Sequence, residues 1–138
     1  MRLTTWKNMQ DLVSALLAGD LKLPKEPEQR IELLKYGYES VMNKAVVLSL
    51  LVNRKATELD DVFSQTSYGE FIRRPSLPTN DTDVLDIDKA LVFAVARFMA
   101  SFISKEKYLY HEQKAIELIK SYNNKVYAYD EEIVQNDI

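Results

Sequence analysis

The apolar positions of this chain fall into helical phase almost from its start. Trp6, Met9, Leu12, Val13, Leu16 and Leu17 recur with a period near 3.6, Thr5 precedes them as a candidate N-cap, and Gly19 follows where a left-handed residue can close a helix. Pro24 and Pro27 stiffen the connection that follows. Pro27 suits the first position of a second helix, and Glu28 suits the positive end of its dipole. The core face of that second helix reads Ile31, Leu34, Tyr38, Val41, Met42 and Ala45, with charged residues over much of the remainder. Gly37 in mid-helix costs about 1 kcal/mol relative to Ala, and either a close approach by another helix or mere tolerance would account for it.

The stretch from Asp86 to Ser104 organises the rest. Between Ala90 and Ile103 only Arg97 and Ser101 are polar, and they stand four residues apart. A helix there carries one thin polar stripe and must be covered on most other sides, either as a core helix or as a seam between subunits. It falls short of the roughly 20 apolar residues of a membrane span, and Asp86, Asp88, Lys105 and Lys107 bound it with charge.

Other segments are less regular. From Ala45 to Val52 the apolar run fits either helix or strand by periodicity, and its β-branched content favours strand. Tyr68 to Arg74 then forms a short strand antiparallel to Val46–Val52, stopped by Pro75 and Pro78. Thr79 to Asp83 are turn formers, and Asp86 or Asp88 is placed to cap the central helix. A fourth helix after Lys107 sets Tyr108, Ala115, Ile116, Ile119, Tyr122 and Val126 on one face, and Asn123 and Asn124 weaken its end. Past Tyr127 the text is short and acidic, and an extended tail there could reach roughly 40 Å. The expected fold is mainly α. It is a single domain over residues 1–127, a bundle of about four helices with a small antiparallel β-ribbon inserted around 46–75, followed by an extended acidic C-terminal tail at 128–138.

Composition narrows the chemistry. A chain of 138 residues with 46% hydrophobic residues, three Gly and four Pro fits one compact helical domain. It has no cysteine, so disulfides, thiolate metal sites and cysteine nucleophiles are excluded. The apolar residues near the N-terminus keep helical phase instead of forming the uninterrupted core of a signal peptide, so synthesis in the cytoplasm is expected. A net charge of −3 argues against wrapping duplex DNA. His111 is the one histidine, which excludes multi-histidine metal centres, and it reads as a solvated or partly packed side chain. The acids Asp81, Asp83, Asp86 and Asp88 lack the central Gly and terminal Glu of a calcium loop, and a helix start explains them. Gly19, Gly37 and Gly69 are too far apart for a phosphate cradle. The expectation is a protein without enzymatic activity, metal or cofactor.

Candidate interface residues remain. Arg73 and Arg74, with Arg54 and Lys55, make a positive area beside the ribbon. It is either a solvated edge that discourages strand pairing or a docking patch for an acidic surface, including the tail of a neighbouring copy. Arg97 sits amid apolar surface and must find a carboxylate, backbone carbonyls or water. Tyr127 and Tyr129 lie where contact with another chain is credible, alongside Asp130, Glu131, Glu132 and Ile133 of the acidic tail.

The order of these parts resembles the head-to-tail connector proteins of tailed bacteriophages, also called adaptor or head-completion proteins, especially those of short-tailed phages. The resemblance runs from about Glu28 to Tyr127. It rests on Arg73-Arg74-Pro75, on Leu85-Asp86-Ile87-Asp88, on the helix bearing Ala94, Ala96 and Ala100, and on Tyr122-Asn123. It implies a structural virion protein located in the neck between capsid and tail and made in the host cytoplasm. Such a protein forms a homo-oligomeric ring, usually of twelve copies, that binds the portal protein and offers a platform to tail or neck proteins. DNA would pass through its channel without specific binding, and no membrane is involved. The alternative is a small helical regulatory module that binds another protein, or nucleic acid through Arg54, Lys55, Arg73 and Arg74.

Overall fold

The computed structural model describes residues 4–19, 21–52, 62–65 and 71–136, with 64, 65 and 126–136 described by backbone alone. Its first helix, α1 (Trp6–Leu16), starts where Thr5 Oγ1 accepts the Asn8 N–H at 3.2 Å. Gly19 follows at φ +68°, a value that favours glycine. The second helix, α2 (Pro27–Met42), has Pro27 at its start and Glu28 in its first turn, as the sequence pattern predicts. Leu33, Leu34, Tyr38, Val41 and Met42 are its buried side chains.

The apolar stretch becomes α3 (Val92–Ile103), and it is the hub of the molecule. It packs against α1, α2 and the fourth helix, α4 (Tyr108–Asn136). Ala94, Ala96 and Ala100 are fully buried, which lets neighbouring backbones approach. α2 comes close to α3 at Gly37. A Cβ there would stand 3.0 Å from Met99 Cγ, Val95 Cγ1 and the Val95 carbonyl oxygen, so any larger residue fits only where these neighbours give way.

Three strands form a small antiparallel sheet in the order β1 (Leu51–Val52), β3 (Phe71–Arg73), β2 (Val62–Gln65). Leu51 pairs with Ile72 and Val52 with Phe71, which is the antiparallel pairing anticipated between these segments. Two features of this region differ from expectation. Only Leu51 and Val52 of the Val46–Val52 run are strand, because Leu48–Leu50 closes a 3-10 turn whose Leu50 N–H donates to the Val47 carbonyl. A further strand, β2, adds to the far side of β3 with an irregular register between Val62 and Ser64. Tyr68 to Glu70 lie outside the described residues, as do Arg54 and Lys55.

A second correction concerns the C-terminus. The sequence reading ends the fourth helix near Tyr127 and lets residues 128–138 run extended, yet α4 continues through Asn136. No Gly or Pro follows Lys125 to stop it, and Asn123 turns its side-chain amide outward to donate to the Lys44 carbonyl at 3.1 Å instead of competing with its own helix. The fold is therefore mainly helical, with four helices and one small antiparallel sheet. Among the described residues no helix is long and apolar enough to cross a membrane.

Candidate functional site

Two arginines that look alike in the sequence occupy opposite situations. Arg73 leaves β3 and reaches Asp86 in the turn before α3, with Nη1 to Oδ2 at 2.5 Å and Nη2 to Oδ1 at 2.9 Å. Asp86 Oδ2 also accepts the Ser76 N–H at 2.7 Å. Both side chains are less than one-third exposed, so this fork is a structural joint with much of its charge out of water. The guanidinium and the Ser76 amide together hold the Asp86 carboxyl below the usual carboxylate range, against the opposing effect of burial. Arg74 is more exposed. Its Nη1 donates to Glu39 at 2.8 Å, and its guanidinium lies 5.3 Å from the Phe63 ring centre.

Beside Arg74 runs a cleft of about 490 Å³ walled by Tyr38, Met42, Pro75 and Leu77. The Tyr38 hydroxyl is buried there beside Asp86, close to its backbone amide. Burial first, and the Asp86 charge second, push its phenol well above its ordinary value.

A parallel joint lies one turn on. Asp88 was expected to be a possible cap for the central helix, as was Asp86, and neither side chain caps it. Asp88 precedes a 3-10 turn at Lys89–Leu91 without a side-chain capping bond, and its Oδ2 takes the Tyr122 hydroxyl at 2.5 Å. A bond from O–H to a carboxylate is stronger than a cap on one short 3-10 turn, which explains the choice. The Tyr122 oxygen in turn accepts the Leu48 N–H at 2.9 Å. Thus Arg73 with Asp86, and Asp88 with Tyr122, pairs scattered in sequence, tie the sheet, the pre-α3 turn and α4 to one another.

Among the described residues Arg97 has no such partner. It is half-buried on α3, and its Nη1 lies 3.1 Å from His111 Nδ1 on α4. A guanidinium only donates, so Nδ1 accepts and the neutral imidazole carries its proton on Nε2. His111 is 3% exposed, so it is a packed residue. Burial, followed by the positive charges of Arg97 and Lys107, holds its pKa below the ordinary histidine value. The Arg97 guanidinium also stands 5.6 Å from the Tyr110 ring centre, and Lys114 Nζ stands 5.7 Å from the same ring. Among the described residues no carboxylate forms an ion pair with Arg97.

Large apolar side chains surround this cation at the surface. Phe93, one helical turn before Arg97, is 56% exposed, and Tyr110 is 51% exposed. Phe102 is 64% exposed at the other end of α3, where its ring meets Tyr36 with centroids 4.9 Å apart. The sequence pointed to Arg97 through its apolar context; it gave no sign that Phe93 and Phe102 remain outside, because an apolar helix reads the same whether its last face is covered or bare. Tyr127, Tyr129, Asp130, Glu131, Glu132 and Ile133 lie in the part of α4 described by backbone alone.

Among the described residues no group of three or more His, Asp or Glu is placed to hold a metal ion. Comparison with known proteins finds no matching family model, no matching curated protein and no matching solved structure.

Proposed function

We propose that this chain is a structural virion protein of the head-to-tail connector kind, which assembles as a ring beneath the portal, extends the DNA channel and offers tail components a platform. The observation that carries the reading is the placement of the two exposed phenylalanines of α3. Phe93 and Phe102 are nine residues apart, two and a half helical turns, so they emerge on opposite sides of one buried helix. A closed ring is built from heterologous contacts, in which each subunit presents two different surfaces, one to each neighbour. A helix hub with an exposed aromatic ring on either side supports that reading. The order of elements, with its resemblance to the connector proteins, is the second support.

Light scattering on the purified full chain, alone and mixed with a phage portal ring, tests the proposal. The expected result is a ring-sized species or a stable complex with the portal. Monomeric behaviour in both samples overturns it. A DNA mobility shift that weakens with salt would instead favour a nucleic-acid-binding module.

A further inference from the structure

We infer that the α3–α4 face centred on Arg97 is the docking site for the acidic run Asp130, Glu131 and Glu132 of a second copy of this chain. The inference rests on the assembly reading above and names one of its contacts.

Three observations lead to it. First, Arg97 is a half-buried cation between Phe93 and Tyr110, and its described polar contact is the neutral Nδ1 of His111. A guanidinium removed from much of its water favours a carboxylate above other partners, and none of the described acids supplies one. Lys114 adds positive charge at the edge of the same face, although Glu117, 3.7 Å away, shares it. Second, the chemistry of the proposed occupant matches. The acidic run is flanked by Tyr129 and Ile133, and the Arg97 face offers exposed Phe93, Tyr110 and Leu118 around its cation. Charges opposite charges within an apolar rim fix both orientation and partner.

Third, the chain's own acidic run is excluded. Tyr110 and Asp130 lie on the single helix α4. At 1.5 Å per residue they are separated by about 30 Å along its axis, so the run cannot fold back onto Arg97 without breaking that helix. Another copy can bring its α4 end there without any such cost. Arg73 and Arg74 of the docking patch named in sequence are less suited to the role, since Arg73 has both terminal nitrogens on Asp86 and Arg74 is bonded to Glu39.

The test uses the full chain. Sedimentation velocity over a range of concentrations at low salt reads association directly, and Arg97→Glu is expected to weaken it about tenfold or more. Glu131→Lys with Glu132→Lys is expected to do the same from the far end of α4, where the α3–α4 packing around Arg97 is untouched. Combining the two sets restores opposite charges across the contact and recovers association. Because the chain has no cysteine, Lys114→Cys with Asp130→Cys supplies its only thiols, and mild oxidation is expected to link copies into a ladder. The control pair, Ser14→Cys with Asp130→Cys, places a thiol on the exposed side of α1 and is expected to give none. Association indifferent to both charge reversals, a ladder no stronger than the control, or a chain that stays monomeric and unlinked overturns the inference. A chain linked through positions 114 and 130 that ignores the portal overturns the connector reading alone. A chain that binds the portal without that link overturns this contact alone.

Discussion

The two sides of α3 teach different lessons about the same apolar helix. Towards α2, small residues let backbones close to contact distance, with Gly37 against Val95 and Met99. Around Arg97 the helix keeps a large ring outside and a cation without a carboxylate. Both sides carry apolar residues, and shape divides them: a residue with no side chain lets α2 approach, whereas Phe93 stays exposed. The same contrast separates Arg73, which is held by a forked carboxylate, from Arg97, which is not.

The closed side should break first and hardest. Gly37→Leu forces four carbons into a space where the first alone would stand 3.0 Å from Val95 and Met99, so a loss of about 3 kcal/mol is expected in urea denaturation, enough to unfold a marginal domain. If instead the variant is as stable as the parent, the α2–α3 contact is not the tight one.

The Arg73–Asp86 joint comes next. Arg73→Ala strands a partly buried carboxylate and should cost about 1–3 kcal/mol, while Arg73→Ala with Asp86→Ala together should cost less than the sum of the two single changes. Additive losses in that double-mutant cycle would mean the fork contributes nothing beyond two separate side chains.

A gentler perturbation is pH, which bears on the open side. His111 is held below its ordinary pKa by burial and by Arg97 and Lys107. The unfolded chain therefore binds more protons than the folded one in this range. Stability is full above the ordinary histidine value of about 6.5, declines as pH falls from there towards the lower native value, and levels off below it. The lowered Asp86 carboxyl adds a separate decline only below about pH 4. Urea midpoints measured between about pH 8 and about pH 5 should show the first decline, and His111→Gln should flatten it.

The smallest effect on stability belongs to Phe93→Ser. An exposed ring contributes little to folding, so the change should stay within about 0.5 kcal/mol. Its effect on self-association should be far larger, and that gap between the two measurements is what an interface residue shows and a core residue does not.

Much of the local architecture follows from residues in order. The Thr5 cap, the left-handed Gly19, Pro27 at a helix start and the α3 hub are each dictated by a few neighbouring side chains, so they can be read without any long-range contact. The pairing of Leu51–Val52 with Phe71–Ile72 was legible because Pro75 and Pro78 bound the second segment. The expected strand over all of Val46–Val52 and the expected extended tail were not what formed. In the first case the Tyr122 hydroxyl, 74 residues away, accepts the Leu48 amide beside a 3-10 turn. In the second the absence of any helix breaker after Lys125 outweighs two asparagines.

By itself the sequence determined what one turn of backbone can decide: where helices begin, which residue turns left-handed, and which stretch is too apolar to stand alone. Only the tertiary structure decided which charged groups meet. Arg73 finds Asp86 thirteen residues on, Tyr122 finds Asp88, and Arg97 finds a buried His111 in place of an acid. The reason is physical. Phase along a helix is set by neighbours within four positions, whereas an ion pair depends on where two distant segments are carried by the packing of everything between them.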